Sequence, residues 1–156
     1  SAVICAKAGA NVRLVGRSIE KAEKTAAICN DRYQSKNVVA GADADKQDYL
    51  NKADIVLNTG AAGIQLMSDE NIQMSSNLKI CADTNAVPPS GIAGVDVMDS
   101  GKIMEKSPNK CRGIGALAIG NVKYKSQHEC LKLMYTSDDP VYLDFEDAFK
   151  FAQKSV

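Results

Sequence analysis

Residues 12–21 read Val12-Arg13-Leu14-Val15-Gly16-Arg17-Ser18-Ile19-Glu20-Lys21, and this stretch decides the fold. The apolar residues up to Val15 predict a short buried strand, and Gly16 allows a sharp turn after it. Ser18 is suited to cap a helix that begins at the next residue. In that helix apolar residues recur at spacings of three and four, which predicts one apolar face packed on a sheet. The stretch therefore reads as strand, turn and helix.

The turn after this strand carries two cations and a hydroxyl, on Arg17, Lys21 and Ser18. In a dinucleotide-binding fold an Asp or Glu at this point binds a free ribose 2′-hydroxyl, and the turn has no such acid. The dipole and free N–H groups of the helix N-terminus also favour an anion, although Glu20 offsets part of the positive charge. We predict a phosphate site here; a solvated helix start of mixed charge is the alternative.

Length and composition restrict the class of protein. The chain has 156 residues, 45% of them hydrophobic, which suits one domain with a core of ordinary size. Lys plus Arg and Asp plus Glu number 19 each, so we expect no nucleic-acid or membrane partner. The five cysteines show neither disulfide nor metal-ligand spacing. They predict reduced thiols in a cytoplasmic protein and no metal site. The balanced charge favours a small or neutral partner.

Strands and helices alternate along the chain. Short apolar runs predict further strands at 37–40, 54–58 and 79–82, with helices at 45–52 and 68–76 between and after them. This alternation predicts an α/β fold with a doubly wound parallel sheet whose strands are buried on both faces. The remaining predicted segments are extended pieces over 91–99, a loop over 102–110, a helix ending at Met134, a short strand or extended piece at 141–143 and a helix capped by Asp144.

The chain begins with a segment that favours a helix, residues 1–8, followed by Gly9 as a suitable C-terminal cap. A helix directly before the first predicted strand would be the first helix of a βαβ unit. We therefore expect a preceding strand and its glycine-rich turn upstream of Ser1. On this interpretation residues 1–156 form a partial Rossmann-like domain that lacks its first strand.

Two loops follow predicted strands at the edge where ligands bind in open α/β sheets. The first, 59–63, consists of small residues that allow close backbone approach, and we interpret it as facing a cofactor. An ordinary strand-to-helix turn has the same composition. The second, 83–89, is polar and stiffened by two prolines. Solvent-facing turn chemistry explains it equally well.

The glycine- and alanine-rich segment 113–123 would let a helix N-terminus lie very close to the sheet or to a flat ring. The sole histidine, His128, lies beside Glu129, and we predict it to be structural or solvated. Motifs of hydrolytic enzymes are missing from the sequence. Hydride transfer needs none of them, because a cofactor supplies the reactive carbon.

The motifs together resemble the NADP-binding half of the methylene-tetrahydromethanopterin dehydrogenases of methylotrophic bacteria. The resemblance rests on residues 6–10, 16–24, 59–63, 83–92 and 115–123, in the same order over nearly the whole chain. The strings DTNAVPPSGI and GALAIGNVK are the most specific of these. The resemblance implies hydride transfer between methylene-tetrahydromethanopterin and NADP in one-carbon metabolism, with methylene-tetrahydrofolate as an alternative substrate.

The resemblance also implies roles for individual residues. The cofactor-binding residues carried over by position are Arg17, Ser18, Lys21, Thr59, Gly60, Ala61 and Asn85. The first three would hold the 2′-phosphate of NADP, and Asn85 would face the nicotinamide side or the pterin cleft. Lys123 matches a lysine near the reacting centre, so it is the predicted catalytic residue. A pterin-binding domain would precede Ser1, which predicts that this stretch alone is inactive, and we expect a homo-oligomer.

Two other functions stay open at this point. Shikimate dehydrogenases carry a similar turn with arginine, a hydroxyl residue and lysine, so a shikimate-type NADP dehydrogenase is one alternative. The other is a non-catalytic NADP-binding module that acts as a redox sensor, because no catalytic pair is evident in the sequence. For Lys123 the alternative is a solvated lysine on a helix.

Overall fold

The computed structural model describes residues 1–154, which divide into two compact units, Ser1–Lys52 and a second unit beginning at Ala53. The helices are α1 (Ala2–Lys7), α2 (Ile19–Tyr33), α3 (Lys46–Leu50), α4 (Asp69–Met74), α5 (Ala116–Thr136) and α6 (Phe145–Gln153). The strands are β1 (Val12–Gly16), β2 (Val38–Ala42), β3 (Ile55–Asn58), β4 (Ile80–Asp83), β5 (Ser100–Ile103) and β6 (Arg112–Ile114). The prediction of one domain over 1–156 stays a prediction, and Ser155 and Val156 lie outside the described residues.

The first unit is a two-stranded parallel sheet with helices packed on it. β1 pairs with β2, Val12 lying opposite Val38, as expected for strands joined by a crossover helix. The core residues of this unit are Val3, Ala6, Ala26, Cys29 and Val38, from α1, α2 and β2. The buried residues of α2 recur at spacings of three and four, as predicted. The predicted strand, turn and helix over residues 12–33 are therefore confirmed.

The second unit contains a four-stranded sheet in the order β3-β4-β6-β5. β3, β4 and β6 run parallel, whereas β5 runs antiparallel to β6. The predicted α/β fold with a mainly parallel sheet is therefore confirmed, whereas the antiparallel strand β5 and the short strand β6 were not predicted. β5 contains glycine and lysine at an edge, and β6 is only 3 residues long with Gly113 at its centre, so neither shows an apolar pattern.

The predicted burial of the strands on both faces was wrong for β1 and β2, where Val15 and Val39 are 41% and 48% exposed, and also for β3. Ile55 and Leu57 are 54% and 46% exposed, although β4 beside them is buried at Cys81 and Ala82. β3 is the edge strand of its sheet, so it has a neighbouring strand on one side only. An apolar run in the sequence indicates a strand, but it does not distinguish an edge strand from a central one.

The last two helices pack against each other in the second unit. α5 continues two residues beyond the predicted end at Met134, and residues 141–143 form no strand. Asp144 caps α6 as predicted, its side chain accepting hydrogen bonds from the N–H groups of Glu146 and Asp147 at 2.8 and 3.4 Å. Within residues 1–154, the helices are too short or too polar to cross a bilayer.

Candidate functional site

An open cavity of about 520 Å³ lies at the turn between β1 and α2, within the first unit. It is lined by Leu14, Val15, Gly16, Arg17, Ser18, Lys21, Ala22 and Thr25. All three residues of the predicted phosphate site therefore border one space. The apolar part of the lining comes from the end of β1, and the polar part comes from the turn and the first turns of α2.

Ser18 positions the start of α2 beside this cavity. Its backbone is extended and its hydroxyl oxygen accepts a hydrogen bond from the N–H of Lys21 at 3.3 Å, so it is the N-cap that the sequence predicts. Arg17 and Lys21 are exposed on either side of this cap. Two cations and the N-terminus of a 15-residue helix therefore border the same cavity. This arrangement suits a phosphate dianion.

Glu20 places a negative charge close to this candidate anion site. The Ser18 hydroxyl donates its single proton to a carboxylate oxygen of Glu20 at 3.2 Å. Glu20 is exposed and is not among the residues that line the cavity. A phosphate that accepts the Ser18 proton would have to replace this hydrogen bond, so Glu20 competes with an anion at the site.

A second candidate region lies within the second unit, where β3 and β4 end side by side. Asn58 and Asp83, the last residues of these strands, lie opposite each other in the sheet. The Asp83 carboxylate is 1% exposed and accepts a hydrogen bond from the Asn58 amide at 2.7 Å. It also accepts from the backbone N–H groups of Asn85 at 3.0 Å and Ile92 at 2.9 Å. A buried carboxylate is thus satisfied by N–H donors.

Asn85 joins the loops that follow these two strands. Its amide oxygen accepts from the N–H groups of Gly63 at 3.3 Å and Val87 at 3.0 Å, and its amide nitrogen donates to the Pro89 carbonyl at 3.0 Å. The side chain is buried. The structure therefore uses the Asn85 amide inside the loops, which differs from the predicted contact with nicotinamide or pterin; that contact stays a prediction.

The loop of small residues after β3 is exposed, and a hydrogen bond to a buried side chain holds its backbone. Thr59, Gly60 and Ala61 are all exposed, and the Gly60 N–H donates to the Asn58 side-chain oxygen at 3.0 Å. The loop therefore presents a surface of small residues while its backbone is held by a buried side chain. This surface is compatible with the predicted cofactor contact, which stays a prediction.

Sequence reasoning missed Asn58 and Asp83 as functional candidates. The signal was present, because each is a polar residue that ends an otherwise apolar strand. Their pairing across 25 positions of sequence was not evident without the register of β3 and β4.

Lys123 is exposed on α5 and lies 40 residues after Asp83 in the sequence. A cavity of about 560 Å³ in this unit is lined by Tyr124, Lys125, His128, Glu129, Phe151 and Lys154. Lys123 is not part of that lining, whereas His128 is. The His128 ring stacks beside Tyr124 with ring centroids 6.5 Å apart, and its Nδ1 lies 3.6 Å from a Glu129 oxygen. His128 is exposed, in agreement with the predicted solvated position.

The cysteines and acidic residues form no evident reactive centre. All five cysteines are free, and within residues 1–154 no group of three or more His, Cys, Asp or Glu side chains could hold a metal ion. The sulfurs of Cys81 and Cys111 lie 3.5 Å apart in the second unit's sheet, and burial raises the pKa of both thiols. Raised pKa values disfavour the thiolate, which is the reactive form.

Two proteins of Methylorubrum extorquens are similar in sequence to this chain. The chain is 37% identical over 155 residues to its NAD(P)-dependent methylenetetrahydromethanopterin dehydrogenase, a match that covers 97% of this chain and 52% of that protein. It is 36% identical over 149 residues to the bifunctional protein MdtA, covering 94% of this chain and 50% of that protein. The chain thus spans about half the length of each relative. No family model matches the chain. The resemblance inferred from the motifs is confirmed.

Proposed function

We propose, on the premise that this chain is a relative of the methylenetetrahydromethanopterin dehydrogenases, that it is the Rossmann-like, NADP-binding part of an enzyme that transfers a hydride from methylene-tetrahydromethanopterin to NADP. One observation carries the cofactor assignment: Arg17, Ser18 and Lys21 border one cavity at the N-terminus of α2. The substrate assignment rests on the name of the relative, and methylene-tetrahydrofolate stays the alternative substrate.

The 2′-phosphate of NADP would bind at the turn between β1 and α2. The Arg17 guanidinium and the Lys21 ammonium supply charge-assisted hydrogen bonds, and the Ser18 hydroxyl supplies a neutral one. The dipole of α2 adds a favourable contribution of about 0.3–1 kcal/mol for an anion at its N-terminus. NAD has a ribose hydroxyl in place of this phosphate, and the end of β1 offers it no acid. The residues therefore favour NADP over NAD.

The resemblance also implies roles for residues of the second unit. When bound, NADP supplies the carbon that accepts the hydride, so the protein's part is to place both reactants. The exposed backbone of Thr59, Gly60 and Ala61 would line the cofactor, and Asn85 would fix the shape of that loop. Lys123 would lie near the reacting centre; its exposure on α5 leaves its ammonium available to a ligand.

Transfer of an isotopic label tests this function in the full-length gene product. Methylene-tetrahydromethanopterin with deuterium on its methylene carbon is incubated with NADP, and the NADPH formed is analysed by mass spectrometry. We expect deuterium in NADPH. Methylene-tetrahydrofolate and shikimate, each labelled at the carbon to be oxidised, are tested in separate reactions as alternative donors. Deuterium from shikimate alone, or NADP binding with no transfer from any donor, would contradict the proposal.

We also propose that the protein is a cytoplasmic homo-oligomer. The apolar side chains of Leu131 and Tyr135 are exposed on α5, which supports a protein contact along that helix. Light scattering coupled to size-exclusion chromatography tests the oligomer. A monomer at all concentrations would contradict this part of the proposal and leave the cofactor assignment unaffected.

A further inference from the structure

We propose that Asp83 is a positioning residue that fixes two loops, 59–66 and 84–92, in one conformation. These loops, here called the loop pair, follow β3 and β4 and both lie in the second unit. The kinetic consequence rests on the proposed function, because the first loop of the pair would line NADP. The structural consequence, joint movement of the loop pair, does not depend on that function.

The Asp83 carboxylate is connected to both loops by hydrogen bonds, to the second loop directly and to the first through Asn58. It accepts directly from the backbone of Asn85 and Ile92, which lie near the two ends of the second loop. It reaches the first loop through Asn58, whose amide donates to Asp83 while its oxygen accepts from the Gly60 N–H. One buried carboxylate therefore holds the second loop directly and holds, in Asn58, the residue that binds the first loop.

Further hydrogen bonds connect the loops to each other. The N–H of Gly63 donates to the Asn85 side chain at 3.3 Å in the middle of the loop pair. At its far end the N–H groups of Leu66 and Met67 donate to the Gly91 carbonyl at 2.8 and 3.0 Å. These hydrogen bonds connect the two loops at several points. Loss of the Asp83 carboxylate should therefore increase the mobility of both loops together.

Gly91 gives independent evidence that the loop pair is built around the contact between Asn58 and Asp83. A Cβ atom at Gly91 would lie 1.8 Å from the Asn58 amide nitrogen and 3.0 Å from an Asp83 oxygen. Gly91 is not among the glycines with positive φ, so positive φ is not the reason for glycine at this position. Glycine is required there for space, and the space is filled by the amide that donates to Asp83.

Replacing Asp83 by asparagine keeps the size of the side chain and changes only its hydrogen bonding. An amide has one oxygen and one NH₂ group, so at least one N–H donor would face another donor. A buried donor without an acceptor is unfavourable, and the loop must open to satisfy it with water. Asp83→Asn therefore separates the role of the carboxylate from its packing.

Hydrogen–deuterium exchange and steady-state kinetics of the full-length gene product test the proposal. In Asp83→Asn we expect faster exchange in both 59–66 and 84–92, with KM for NADP raised about tenfold and kcat at saturating NADP changed less. Adding Asn58→Asp to Asp83→Asn should bring the exchange rates and KM for NADP part of the way back to parental values, because a donor and an acceptor face each other again.

The control is Asp54→Asn, the same substitution just before β3 at the opposite end of the same strands. The Asp54 side chain is 65% exposed and pairs with Lys79 at 2.7 Å, so exchange and KM should stay at parental values. Gly91→Ala is a second variant, which displaces the Asn58 amide and should also speed exchange in both loops.

The exchange measurement is made on Asp83→Asn and Gly91→Ala, and it is decisive for each variant that remains folded. Faster exchange in only one of the two loops, or in neither, would overturn the proposal. Unchanged KM together with faster exchange would show that the loop pair is coupled but does not bind NADP. Failure of the parent protein to bind NADP would refute the proposed function, while the exchange result would still decide whether Asp83 couples the loops.

Discussion

Gly115→Ala should destabilise the protein by about 3 kcal/mol, whereas Gly120→Ala, in the same helix, should stabilise it by about 0.5–1 kcal/mol. Gly115 is the N-cap of α5, and a Cβ atom there would lie 2.0 Å from the Asp96 carbonyl oxygen and 2.6 Å from the Val97 carbonyl group. These are main-chain atoms, which cannot rotate away as a flexible side chain can. The turn or the helix would have to move.

The size of the effect follows from what that movement breaks. Inserting a methyl group into a close-packed position costs about 1–3 kcal/mol. The shift would also strain two hydrogen bonds, from the Gly115 N–H to Asp99 at 2.8 Å and from the Leu117 N–H to Val97 at 2.9 Å, each contributing about 1 kcal/mol. A Cβ at Gly120 would meet nothing within 4 Å, so only the better helix propensity of alanine remains there.

Urea unfolding of the full-length gene product and both variants measures the two differences. The expected result is a lower unfolding free energy for Gly115→Ala and a higher one for Gly120→Ala. Equal effects of the two substitutions, or a neutral Gly115→Ala, would show that the start of α5 does not lie against the turn at 96–97.

Three further predictions concern single side chains. Glu20→Gln should tighten NADP binding by about 0.3–1 kcal/mol, because a charge that competes with the phosphate is removed, and the gain should shrink at high salt in a binding titration. Lys123→Ala should lower turnover or pterin affinity and leave NADP binding intact. Unaltered steady-state kinetics would show that Lys123 is a solvated lysine with no role in the reaction. Burial raises the pKa of the Cys81 thiol, so only the unfolded thiol loses its proton above about pH 8.5, and stability should fall there as pH rises. Cys81→Ala should flatten that fall in urea unfolding under reducing conditions, and an unchanged slope would contradict this prediction.

Local signals were sufficient to predict the first unit from sequence. The apolar spacing of α2 and the capping ability of Ser18 are properties of neighbouring residues, so the strand, turn and helix could be predicted without tertiary information. The same holds for α6, which Asp144 caps. The grouping of Arg17, Ser18 and Lys21 around one cavity was predictable for the same reason, because these residues and the helix N-terminus lie within a few positions of each other.

The second unit depends more on contacts between distant residues. β6 is 3 residues long and forms a strand because β4 and β5 pair with it, not because its own residues favour one. The cluster around Asp83 joins residues from two strands and two loops, and Asn85 acquires its role only when Gly63 lies beside it. The expected strand before Ser1 stays a prediction.

Cofactor preference tests the central claim most directly. Calorimetric titration of the full-length gene product should give tighter binding of NADP than of NAD. Arg17→Ala should weaken NADP binding by about 1.5–3 kcal/mol and leave NAD binding nearly unchanged, because only NADP carries the phosphate. Arg32→Ala, at the opposite end of α2, is the matched control and should alter neither. Equal losses for both cofactors in Arg17→Ala, or tighter binding of NAD by the parent, would contradict the assignment.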